Sequence, residues 1–125
     1  MQRPVWVNFM KQGEWNPVHN HTGDISCVMY LKVPKEIAEE NNTSELSSKS
    51  NTPSAGKIEF QYGDSIGYCN TGMMMNPIEK DIYIFPAKLQ HMVYPFKSKT
   101  ERISVSVNFA DKVNAMRNLQ ARGER

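Results

Sequence analysis

Apolar residues recur at every second position in several short runs of this chain, the period of a strand that turns one face to a core. Val5-Trp-Val-Asn-Phe9 reads as a first strand that ends near Gly13, and the β-prone run over residues 25–32 forms a second, closed by Pro34. Glu36 to Glu40 has room for one helical turn at most. Lys57 to Tyr62 alternates into a third strand that stops at Gly63-Asp64. Asp81 to Phe85 and Met92 to Tyr94 follow as strands, with His91 at the turn between them. Arg102 to Phe109 is the most regular run: Ile103, Val105 and Val107 fall on one face and Arg102, Ser104, Ser106 and Asn108 on the other. Between these runs, residues 41–56 collapse to Asn, Thr, Ser, Pro and Gly and read as a mobile loop, either a lid or a plain connector. Residues 68–77 look irregular, and the thioethers of Met73-Met74-Met75 suit filling a gap. Val113, Met116 and Leu119 recur at helical spacing in the tail, where Asp111 can cap a short helix.

Many short strands, turn signals between them and one brief terminal helix predict an all-β sandwich or barrel of the jelly-roll type. A parallel α/β sheet is excluded, because no helices separate the strands. With 125 residues, 39% hydrophobic and 22% charged, the chain fits one soluble domain over residues 1–125. A net charge of +2, with lysines and arginines scattered, does not suit nucleic acid. No apolar run approaches the ~20 residues that cross a bilayer, and Met-Gln-Arg-Pro does not open a signal peptide. Cys27 and Cys69 lack CxxC spacing and are expected as reduced, buried thiols. These features point to a cytoplasmic chain, in which the sequons at Asn20, Asn41 and Asn42 are chance matches.

The candidate chemistry gathers in His19-Asn20-His21-Thr22-Gly23-Asp24, two imidazoles and a carboxylate at the edge of the second strand. Imidazole suits first-row transition metals, and two histidines with one carboxylate and open positions is the ligand set of non-haem Fe(II) oxygenases. The competing reading is a solvated His-rich loop. His91 is the only other histidine, so a site with a distant anchor must use it. Arg102 follows it by eleven residues, one strand and one turn on. There a guanidinium could grip a carboxylate through two parallel hydrogen bonds. The alternative for that strand is a polar face left in solvent.

Taken together, His19-x-His21-x-x-Asp24, Tyr30-Leu31, Phe85-Pro86-x4-His91, Arg102-Ile-Ser104 and Asn108-Phe109 resemble the 2-oxoglutarate and Fe(II)-dependent oxygenases. The likeness is to the small prolyl-hydroxylase-like group of bacteria and marine phages, and it covers roughly residues 5–110. It implies a double-stranded β-helix, the cupin-like jelly roll, with His91 as the distal iron ligand. It further implies that Arg102 holds the distal carboxylate of 2-oxoglutarate with help from Ser104, and that the Tyr30 hydroxyl reaches the same group. The expected cofactors are Fe(II) and 2-oxoglutarate. The expected reaction is hydroxylation of an unidentified small-molecule or peptidyl substrate, with succinate and CO2 as coproducts, in a bacterial or phage-infected cell.

The chain departs from the usual His-x-Asp pair of that family. His21 and Asp24 could join His91, or His19 and His21 could do so with Asp24 behind them, or all four could bind. Gly13-x5-His19-x-His21 also matches the spacing of cupins, which would use the same histidines without a 2-oxo acid. A non-catalytic jelly-roll binding module is the third class. The chain is short for the oxygenase family, which normally carries helices ahead of the barrel. It reads as a minimal core, a truncated gene, or a subunit that covers an exposed edge by pairing as a homodimer.

Overall fold

The structure, a computed structural model, describes residues 5–43, 51–64, 66–110 and 112–123. The chain runs through β1 (Trp6–Lys11), β2 (Asn16–His19), β3 (Ile25–Lys32), α1 (Lys35–Glu40), β4 (Ile58–Gln61), β5 (Gly72–Met75), β6 (Ile82–Pro86), β7 (Gln90–Val93), β8 (Glu101–Phe109) and α2 (Lys112–Ala121). Two four-stranded sheets result, in the orders β1-β8-β3-β6 and β2-β7-β4-β5. Every pairing is antiparallel, as in the jelly roll that the alternation predicts.

Three local details differ from the sequence reading. β2 and β5 are strands where none was expected, and His91 sits inside β7 rather than at the turn before it. None of these strands alternates apolar and polar residues, unlike the equally short Ile58-Glu-Phe-Gln61 of β4. Pro17 lies in β2, which is an edge strand, so the missing N–H is tolerated and the register shifts between Asn16 and His19. α1 is a six-residue helix, slightly more than the single turn expected.

The core joins both sheets: Val28 and Tyr30 of β3, Phe85 of β6, and Ile58 and Phe60 of β4, with Phe60 and Phe85 edge-on at 4.9 Å. Met75 packs against this cluster, whereas Met73 is exposed. α1 is pinned by its buried Glu40, whose carboxylate accepts the Lys97 and Ser98 N–H groups at 2.9 and 3.0 Å and the Ser98 hydroxyl at 2.7 Å. At the base of the 41–56 loop the Asn41 amide exchanges two hydrogen bonds with the backbone of Ala55. Residues 44–50, the middle of the loop read as a lid, lie outside the described residues, as does the Asp111 cap.

β8 resolves the question of its polar face. Arg102, Ser104 and Asn108 are buried, so that row turns into the sandwich and is not a solvated surface. Ile103, Val105 and Val107 point outward instead. Both cysteines are free, but neither is a buried thiol: Cys27 is half-buried and Cys69 exposed, because each falls outside the inward-facing row. No helix among the described residues is long and apolar enough to cross a membrane.

Candidate metal centre

The histidine cluster is assembled by the second sheet. His19 closes β2 directly opposite His91 of β7, and His91 is opposite Phe60 of β4. His21 lies two residues beyond β2, held by its N–H, which donates to the Ala87 carbonyl at 2.8 Å. The turn that follows is clamped on both sides: the Asp24 N–H donates to Phe109 O at 2.8 Å, and Ala87 N–H donates to Asp24 O at 2.9 Å. Gly23 makes that clamp feasible. Its φ is +104°, and a Cβ there would stand 2.8 Å from the Phe109 carbonyl oxygen.

Three imidazoles converge as a result. His19, His21 and His91 each offer a ring nitrogen within 4.8 Å of the others, and the ring centroids lie 4.2–5.0 Å apart. His91 Nδ1 donates to Leu89 O at 2.9 Å and His19 Nδ1 to Pro17 O at 2.6 Å. A ring nitrogen that donates to a backbone carbonyl fixes the tautomer and leaves Nε2 with its lone pair free to bind a cation. His21 Nε2 stands 3.2 Å from His91 Nε2. Burial, opposed by the Leu89 bond and aided by the other two rings, pulls the His91 pKa down to about 4. Burial and then His19 also lower that of His21. At neutral pH both are therefore uncharged, the form that binds metals. The Asp24 carboxylate is not among the converging ligand atoms.

The opposite wall comes from the first sheet. The histidines share one cavity of about 740 Å³ with Tyr30, Arg102, Ser104 and Asn108. Arg102 is only 4% exposed, donating from Nη1 to Gly56 O at 2.6 Å and placing Nη2 2.9 Å from Met10 Sδ. Its guanidinium lies 5.4 Å from the Tyr30 ring centre, and Ser104 is paired with Tyr30 across the sheet. Arg102 Nε is buried with no partner, and no carboxylate among the described residues lies within ion-pairing distance of Arg102. Burial lowers the Arg102 pKa against the raising effect of Tyr30, while burial pushes the Tyr30 hydroxyl up to about 12.

Several lining residues escaped the sequence reading. The Ser26 hydroxyl donates to Asn108 Oδ1 at 2.7 Å, and the Trp6 ring stacks obliquely 5.9 Å from His21. Their signal was present in the alternation, since Ser26 shares the inward face of β3 with Tyr30, and Trp6 is the cross-strand partner of inward-facing Ser106.

A jelly roll with a three-imidazole cluster and a buried arginine whose Nε is unpartnered in one cavity defines a candidate metal-dependent enzyme of the cupin-like architecture. Residues 4–108 match the family described as "Putative 2OG-Fe(II) oxygenase". The chain belongs to that family, whose cofactors are Fe(II) and 2-oxoglutarate. Among solved structures it is similar to a prolyl-4-hydroxylase from Pseudomonas putida, with a TM-score of 0.59 and 15% identity over 86% of this chain and 52% of that one. The chain thus spans about half the length of that hydroxylase, and the likeness concerns the fold. No curated protein matches it.

Proposed function

We propose that this chain is a non-haem Fe(II) and 2-oxoglutarate-dependent dioxygenase that hydroxylates a small-molecule or peptidyl substrate and releases succinate and CO2. His19, His21 and His91 hold the iron, with Asp24 outside the ligand set. Arg102, aided by Ser104 and the Tyr30 hydroxyl, holds the distal carboxylate of 2-oxoglutarate. The domain occupies residues 1–125, and its setting is the cytoplasm of a bacterial or phage-infected cell.

The observation that carries this reading is the buried Arg102 in the same cavity as the imidazoles, whose Nε has no partner and which meets no carboxylate among the described residues. An ion taken out of water without a counter-charge carries a penalty of several kcal/mol, which an anion entering the cavity would offset. A guanidinium with an open Nε presents the fork that a carboxylate fits. Three neutral imidazoles leave coordination positions open for the other end of the same acid. Iron bound there would supply oxygen activation, coupled to decarboxylation of the 2-oxo acid. The protein's share is to orient both ligands, and to exclude water with the apolar walls at Val28 and Phe85. A cupin without a 2-oxo acid would use the same histidines but leaves Arg102 uncompensated.

The test is thermal unfolding with Mn(II) in place of iron. At 100 times its Kd, a ligand that binds only the folded state adds about 2.7 kcal/mol. For a chain of this size that raises the Tm by roughly 10 °C. We expect 2-oxoglutarate to do so only when Mn(II) is present. No shift with the metal bound would overturn the reading in favour of a metal-only jelly roll.

A further inference from the structure

The outer face of the β1-β8-β3-β6 sheet is apolar from edge to edge. Alternation turns Val7 and Phe9 of β1, Leu31 of β3, Ile82 and Ile84 of β6, and Phe109 of β8 away from the cavity, and each is 46–70% exposed. Between them the two central strands present half-buried Met29, Val105 and Val107. Charged side chains on this face gather at one end, where Lys11 and Glu101 are cross-strand partners and Lys32, past a bulge at Leu31 in β3, stands opposite Ile103. On β8 the polar row has gone to the cavity, so on that strand the usual arrangement of a sandwich is inverted and water meets the hydrophobic set. Among the described residues, neither helix lies against a strand of this sheet.

We propose that this face is the contact surface of a homodimer, covered by the same face of a second copy of the chain. Soluble monomers rarely expose an apolar patch of more than a few hundred Å². Burying one large apolar side chain completely removes on the order of 60–120 Å² of apolar surface. Six of them about half exposed, with the partly exposed residues between them, present roughly 400 Å² per copy. Because such area is about 60% of an interface, two copies would bury about 1,300 Å² in all, inside the range of stable pairs. A two-fold contact sets a patch against itself, which a charged centre would resist. This patch has an uncharged centre, and a face of four strands suits sheet-on-sheet packing at about 10 Å. The inference is independent of the reaction assigned to the cavity.

Sedimentation velocity and thiol labelling test it on the intact chain. Cys27 lies on this face, on β3, whereas Cys69 is exposed in the 66–70 turn, away from both sheets. At ~50 μM we expect a species of twice the 14.3 kDa chain mass, with Cys69 labelled by maleimide at least tenfold faster than Cys27. Dilution should dissociate the dimer and release Cys27. Ile84→Lys replaces a side chain that is 70% exposed and needs no refolding, so it should give a monomer with fast Cys27 labelling. Ile66→Lys, off the face, should stay dimeric. A monomer at ~50 μM with both cysteines reactive would overturn the proposal and leave the face to a different protein. A monomer with Cys27 protected at every dilution would also overturn it, and would mean that α2 folds back over the sheet.

Discussion

Replacing Arg102 by methionine should separate structural from ligand-binding roles in one protein. The substitution keeps an unbranched apolar stem in the sandwich and removes only the guanidinium. Two effects on the ligand-free protein oppose each other. The charged hydrogen bond from Nη1 to Gly56 O is lost, about 1.5–3 kcal/mol, while the unpartnered Nε, which costs about 1–3 kcal/mol, disappears with it. Stability of Arg102→Met should therefore stay within about 1–2 kcal/mol of the parent, well below the 2–5 kcal/mol typical of losing a large buried side chain. Binding of 2-oxoglutarate should respond quite differently. Truncating one partner of a buried charge pair costs about 2–5 kcal/mol, which is roughly 30-fold to 4,000-fold in Kd. Arg102→Lys should recover part of this, since a point charge lacks the planar fork. Urea unfolding followed through Trp6 and Trp15 gives the first quantity. Titration calorimetry of 2-oxoglutarate into the Mn(II)-loaded proteins gives the second, and Mn(II) affinity itself should hold. Equal 2-oxoglutarate affinity in all three proteins would refute the reasoning. So would a stability loss above ~4 kcal/mol, which would make Arg102 a structural pillar.

Further outcomes follow from the histidines and their turn. His91→Ala should abolish stoichiometric Fe(II) or Mn(II) binding with the circular dichroism unchanged, whereas Asp24→Asn should keep full metal; metal retained by His91→Ala would remove the centre from this triad. Folded His91, held near 4, refuses a proton that the unfolded chain accepts at about 6.5. Its contribution is therefore complete above pH 6.5 and fades as the pH falls toward 4, by up to about 3 kcal/mol in the metal-free protein. Urea midpoints of the parent and His91→Gln across pH 4–7 would show the parent losing more, and parallel curves would contradict it. Gly23→Ala should lower stability by ~2–3 kcal/mol and loosen metal binding, since it adds a close contact with Phe109 O to an unfavourable φ. Gly13→Ala, at φ +77° but in open space, should cost about 1 kcal/mol; equal losses would dismiss the close contact.

By itself the amino-acid order determined the strand class and the chemistry on offer. Alternation over nine residues of β8 assigned Arg102, Ser104 and Asn108 to one face, because a strand's side-chain period of two is a local property. The same reasoning recovered β1, β3, β4 and β6, and the residue types alone singled out the three histidines and Arg102. It failed at β2, β5 and the start of β7, whose residues do not alternate and where pairing partners, not pattern, make the strand. Which face of β8 is inside was also beyond local pattern: both a solvated polar face and a buried one alternate identically, and only the second sheet, laid over the polar row, decides. The histidine cluster is non-local for the same reason. His19 and His91 stand 72 positions apart and meet because β2 and β7 pair, while Asp24, three residues from His21, has its backbone clamped to β8 and the β6–β7 turn and its carboxylate outside the cluster. Proximity along the chain left Asp24 and His19 as equal candidates, and strand pairing brought the three imidazoles together.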